Sequence, residues 1–212
     1  MNTVIKICGL HDPEIAKTTV ELGAQYIGIM MHPDSKRYVS IDVAAKISAA
    51  VKAVDGVPVA VFVDATAEQM QNQCEKIDVQ TVQCHGALSR SQHVLLPEFY
   101  QRIYVLHVNS DSVCQGDPDE GLVNLKKQRD FLLYDGLKGG SGESFSLQQF
   151  KHAYDFPFFL AGGLRTDSVG DAIRLVQPFG VDVSSGVEIS PGIKDLNLIK
   201  RFIEQVGEAA YE

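Results

Sequence analysis

No run of about 18 unbroken apolar residues occurs in the 212-residue chain, which leaves no candidate for an apolar membrane-spanning helix. Met1-Asn2-Thr3 does not open a basic segment leading into an apolar core, so no export signal and no membrane partner are expected, and a cytoplasmic location is. Cysteine is scarce. Cys8, Cys74, Cys84 and Cys114 lie far apart, with no CxxC spacing, in a chain too long to need stapling, and reduced thiols are the simplest expectation. Positive charge is in deficit, 19 Lys and Arg against 27 Asp and Glu, for a formal charge of −8. That balance argues against a nucleic-acid partner, which generally calls for a basic face. Neither GxxxxGK[ST] nor a GxGxxG following a strand is present, so neither a nucleoside triphosphate nor a dinucleotide is indicated.

What remains is ordinary globular composition, 45% apolar and 22% charged, and a length suited to one large domain spanning residues 1–212. The apolar run Val4-Ile5-Lys6-Ile7-Cys8 is β-branched and ends at Gly9, where the backbone can turn away. Alternation puts Lys6 and Cys8 on one face and Ile5 and Ile7 on the other. Asp12-Pro13 then starts a helix to about Leu22, Tyr26 to Met30 is a second strand, and Ser40 caps a helix from Ile41 toward Val51. Val57–Val63, Thr81–Cys84, Ile103–His107, Phe131–Tyr134, Phe158–Leu160 and Val181–Val183 read as further strands. Between them, helices are predicted from Thr66 toward Lys76, around Ser89–Leu95, for a turn or two near Leu122–Lys127, over Ser146–Ala153, over Thr166–Val176 and from Leu196 to about Val206. Eight strand–helix units with strands too apolar for a one-sided sheet predict a closed, parallel (β/α)8 barrel.

In such a barrel the chemistry sits where strands end. That rule gathers Cys8, Arg37, His85 and Asp135 at one mouth, with the small-residue loops Gly139-Gly140-Ser141-Gly142, Gly162-Gly163 and Ser184-Ser185-Gly186. Backbone N–H groups and hydroxyls in the loops after the last two strands are suited to holding a phosphate. An inward Lys6 needs a counter-charge. Because strand eight closes beside strand one, Asp182 is its expected partner.

Six segments then carry a resemblance: Lys6-Ile7-Cys8-Gly9-Leu10, Pro33 to Val39, Gln83-Cys84-His85-Gly86, Gly139 to Gly142, Phe159 to Leu164, and Val181 to Glu188. In this order they resemble the signature of the phosphoribosylanthranilate isomerase family, over nearly the whole chain. The resemblance implies an isomerase of tryptophan biosynthesis that converts N-(5-phosphoribosyl)anthranilate to 1-(2-carboxyphenylamino)-1-deoxyribulose 5-phosphate. That conversion is an Amadori rearrangement without cofactor or metal. It further implies Cys8 as general base, Asp135 as general acid and Arg37 on the anthranilate carboxylate. Phosphate would fall to Gly162, Gly163, Ser184, Ser185 and Gly186, with Gly140, Ser141 and His85 as further substrate contacts. The only partner implied is the small phosphorylated substrate, with the chain a monomer or homodimer.

The proposed base needs positive neighbours to lower its pKa, and Lys6 and Arg37 are the candidates. The acid needs burial or a nearby anion to stay protonated. Lys36, Cys84 and Ala87-Leu88 depart from the family pattern, and Phe145-Ser146-Leu147 stands where Phe-Asp-Trp is usual. The sister isomerase of the histidine pathway is expected to use aspartates at the ends of strands one and five, where this chain has Cys8 and His107. A barrel that only binds a phosphorylated sugar would not need the acid and base together.

Overall fold

A computed structural model describes residues 3–109, 114, 121–136 and 146–209. Gly140 and Ser141, candidates for substrate contact, lie outside the described residues. The strands are β1 Val4–Cys8, β2 Tyr26–Met30, β3 Val57–Phe62, β4 Thr81–Cys84, β5 Gln101–Val108, β6 Phe131–Gly136, β7 Phe158–Leu160 and β8 Gly180–Val183. They pair in parallel in that order, and β8 returns to β1 with Lys6 opposite Asp182, closing the barrel. Helices α1 Pro13–Glu21, α2 Ile41–Lys52, α3 Ala67–Ile77, α4 Ala87–Gln92, α5 Val169–Val176 and α6 Leu196–Ala209 surround it. A short antiparallel hairpin, β9 Glu188–Ser190 and β10 Ile193–Lys194, follows β8.

Local chemistry sets the helix starts. Asp12 accepts from the N–H groups of Glu14 and Ile15 at 2.8 and 3.2 Å, with Pro13 at the first helical position. Thr66 and Gln69 form a reciprocal capping box at the head of α3. The predicted helix over Ser146–Ala153 is not there. A turn over 147–149 takes its place, and His152 is held outside the helix ladder by the Tyr134 hydroxyl at 2.9 Å and the Phe156 carbonyl at 2.9 Å. Around Leu122 the chain makes hydrogen-bonded turns rather than a helix. Helix α5 begins at Val169, not Thr166, because Ser168 is tied back to Arg165 in a turn, its hydroxyl accepting from the Arg165 N–H at 3.1 Å.

Alternation along every strand divides the apolar residues in two. Outward ones, Ile5, Ile7, Ile27, Ile29, Leu132 and Leu160 among them, pack beneath the helices. Inward ones, including Cys8, Val59, Val61, Val105, Leu133 and Phe159, fill the barrel. The end from which the strands start is plugged by rings. Tyr26 meets Phe159 edge-on at 5.5 Å, and Phe131 stacks on Phe179 at 4.8 Å. The Lys6–Asp182 pair lies above this floor, at 2.8 Å, with the lysine fully buried.

Candidate active site

β1 brings Lys6 and Cys8 to the barrel interior, as its alternation requires, and β8 brings Asp182 beside them. The thiol occupies space left by β2: a Cβ at Gly28 would stand 2.6 Å from Cys8 Sγ, so a side chain there would displace the sulfur. Burial pushes the Cys8 thiol up, against the pull of Lys6, then Lys194 and Arg37, while Asp182 adds to the rise. The expectation that Lys6 and Arg37 bring this pKa down is therefore corrected. Desolvation of a sulfur almost closed off from water outweighs them. Lys6 itself is held above its ordinary value, because the attraction of Asp182 and of Cys8 together exceeds the cost of its burial.

Asp135 ends β6 on the same inward face. Burial, and secondarily Asp182, push its carboxyl up to about 7, which leaves a large protonated fraction at neutral pH. The Lys6–Asp182 pair acts electrostatically on Cys8 and on Asp135 alike, so thiol and carboxyl flank a single buried ion pair.

Arg37 lies beside the mouth but is already engaged. Its Nε and Nη2 donate to the two oxygens of Glu188 at 2.7 and 2.8 Å, leaving Nη1 outside that fork. Glu188 also accepts from Lys194 at 2.6 Å. Burial pushes Glu188 up, but the bonds from Arg37 and Lys194 prevail and hold it below its ordinary value.

His85 does not reach Asp135. Its ring meets His107 edge-on at 5.0 Å, and the Gln83 amide lies 3.5 Å from its Nδ1. Burial, followed by His107, pushes His85 down to about 3, so it is neutral. His107 Nε2 donates to the His85 carbonyl at 3.1 Å, and the ring also meets the Gly136 backbone, whereas Gln83 Oε1 is a buried acceptor without a hydrogen-bond partner among the described residues. That acceptor under the mouth suits a donor from a ligand hydroxyl or a water.

The loops after β7 and β8 meet over a narrow cleft lined by Asp135, Gly162, Gly163, Asp182, Ser184 and Ser185. At Gly162 φ is +85°, and a Cβ would stand 2.8 Å from the Gly136 nitrogen. Only glycine allows that approach. The N–H groups of Gly162, Gly163, Ser185 and Gly186 make no hydrogen bond among the described residues, so they are free to face an oxyanion. The Ser184 hydroxyl is not: it donates to the Cys8 carbonyl at 2.9 Å and accepts from Lys194 at 3.1 Å. Among the described residues no group of three or more His, Cys, Asp or Glu side chains is arranged to hold a metal ion, and no helix is long and apolar enough to cross a membrane.

Residues 5–205 match the family model described as N-(5'phosphoribosyl)anthranilate (PRA) isomerase. The chain belongs to the phosphoribosylanthranilate isomerase family. It is 38% identical over 205 residues to the N-(5'-phosphoribosyl)anthranilate isomerase of Streptococcus pneumoniae (strain Taiwan19F-14), covering 96% of each chain. The phosphoribosyl anthranilate isomerase of Thermus thermophilus superposes with a TM-score of 0.81 at 25% identity, over 97% of this chain and 99% of that one. A solved isomerase complex with reduced 1-(o-carboxyphenylamino)-1-deoxyribulose 5-phosphate superposes with a TM-score of 0.71 at 30% identity, over 96% and 98%.

Sequence reasoning brought Cys8, Arg37, His85 and Asp135 to the mouth and paired Lys6 with Asp182. It assigned no role to Gly28, Glu188 or Lys194. The glycine reads as any strand glycine, and the other two sit on strands of three and two residues, too short for a periodic signal.

Proposed function

We propose that the protein catalyses the Amadori rearrangement of N-(5-phosphoribosyl)anthranilate, with Asp135 as general acid and Cys8 as general base. The observation that carries this reading is that the thiol and a carboxyl held near 7 flank the same Lys6–Asp182 pair. Asp135 gives its proton to the ribose ring oxygen as the C1′–oxygen bond breaks, and the anilino nitrogen pair forms the imine. The Cys8 thiolate takes the C2′ proton. Those electrons form the C1′–C2′ double bond of the enolamine as the imine pair returns to nitrogen, and C1′ then takes a proton while the 2′-hydroxyl gives one up, leaving the ketone at C2′. Only protons move, and the scheme calls for no redox group or metal.

Binding follows from the groups left free. Arg37, anchored on its Nε–Nη2 edge by Glu188, offers Nη1 to the anthranilate carboxylate. The unspent N–H groups of Gly162, Gly163, Ser185 and Gly186 receive the phosphate. Ser184 serves the base through the Cys8 carbonyl rather than the phosphate through its hydroxyl. His85, neutral and braced by Gln83 and His107, lines the mouth as a hydrogen-bonding group without charge.

Turnover of freshly generated substrate, followed by loss of its fluorescence, tests the scheme. Cys8→Ala and Asp135→Asn are each expected to lose two to four orders of magnitude, roughly, in rate. A near-native rate for either variant removes that residue from its role.

A further inference from the structure

Lys194, the cation of the hairpin that follows β8, has a side chain only 2% accessible. Its ammonium faces three acceptors: the Ser184 carbonyl at 2.9 Å, the Ser184 hydroxyl at 3.1 Å and Glu188 Oε1 at 2.6 Å. Burial pushes its pKa below the ordinary lysine value, while the Glu188 carboxylate at 2.6 Å favours the charged form, and three acceptors for three protons leave none to offer a ligand. The Ser184 hydroxyl passes the contact on, donating to the Cys8 carbonyl at 2.9 Å.

The charges around the thiol come from four directions. Lys6 lies on β1 itself, Asp182 on β8, Arg37 on the loop between β2 and α2, and Lys194 on β10, with Glu188 of β9 bridging the last two. Asp135, in its protonated form, adds none. Lys6 and Asp182 cancel as one pair. Arg37 and Glu188 cancel through a two-bond fork. Lys194 shares a carboxylate that is already matched, so with a neutral thiol the buried cluster carries one surplus positive charge. Ionising Cys8 makes it neutral, and a poorly solvated cluster favours neutrality.

We propose that Lys194 supplies the unbalanced positive charge that stabilises the Cys8 thiolate, as a positioning residue that never touches the substrate. The inference rests on Cys8 being the base. It makes Glu188 the counterweight: removing the lysine alone leaves the cluster one charge short, whereas removing lysine and glutamate together restores the original count.

The test compares Lys194→Met with the double variant Lys194→Met/Glu188→Gln in the full chain. Two readouts are taken: the pH midpoint of thiolate ultraviolet absorbance, isolated by subtracting a Cys8→Ala control, and the pH profile of kcat/KM. Lys194→Met should move the midpoint upward and lower kcat/KM about tenfold for each pH unit of that movement. The double variant should return the midpoint, and part of the lost rate, toward the native protein, although it has lost more hydrogen bonds. A structural role predicts the reverse order, with the double variant worse. An unchanged midpoint in Lys194→Met, or a double variant no better than the single, overturns the proposal, including where the single variant folds poorly. Full activity in Cys8→Ala would instead overturn the identity of the base, while the absorbance midpoint still reports on the charge count.

Discussion

Asp135 at about 7 and Cys8 above its ordinary value stand in an inverted order for the proposed acid and base. The productive pair, thiolate with protonated carboxyl, is then a minority of the free protein at every pH, and the profile reports the two groups in exchanged positions. As pH rises toward 7 the thiolate fraction grows while Asp135 keeps its proton, so kcat/KM climbs about tenfold per pH unit. Above 7 gain and loss balance, and the rate falls only beyond the thiol pKa. The expected profile of kcat/KM therefore breaks near 7 on the acid side because of Asp135. In Asp135→Asn that break should vanish from the residual activity, which should keep rising to the thiol pKa. At this scale the sequence placed the thiol and the carboxyl at one mouth but did not disclose their ionisation. The Lys6–Asp182 contact followed from alternation and barrel closure alone, whereas the desolvation of Cys8 depends on how tightly β2 packs against it.

Strands were the legible elements, because eight β-branched or aromatic runs at barrel spacing admit few other arrangements, and all eight stand where they were expected. Helices were less so. Ser146–Ala153 has helix-compatible residues, yet His152 is bound to Tyr134 and Phe156, and tertiary bonds prevail over a weak local preference. The mouth depends on element spacing in a way that can be measured. Gly28→Ala places a methyl 2.6 Å from Cys8 Sγ, in a site closed by backbone on the β1 side. Overpacking of this kind costs about 1–3 kcal/mol in stability, and a displacement near 1 Å at a reacting atom costs on the order of a hundredfold in rate. Steady-state kinetics of Gly28→Ala should show that loss mainly in kcat, with KM little changed, because the carboxylate and phosphate contacts lie on other elements.

For the whole molecule, the raised Asp135 carboxyl is held at the expense of stability. Asp135 titrates at about 7 folded against an ordinary 3.8, so between those values the native state holds a proton that the unfolded chain has released. Unfolding is then favoured progressively as pH rises through this window, by up to about 4 kcal/mol above 7. Asp135→Asn should therefore raise the thermal midpoint above pH 7 while abolishing most of the activity, and the gain should fade on acidification toward about 4. Buried neutral histidines act with the opposite sign. His85, pushed down to about 3, and His93, pushed down to about 4, both chiefly by burial, weaken the fold as pH falls below 6.5. The aromatic floor of Tyr26, Phe131, Phe159 and Phe179 has a consequence for traffic rather than for packing. Among the described residues it makes the barrel a cul-de-sac closed at the end where the strands start, so under the proposed scheme a substrate seated at the mouth shields thiol and carboxyl from bulk water, and the hydrogen lifted from C2′ has the neighbouring carbon as its nearest destination.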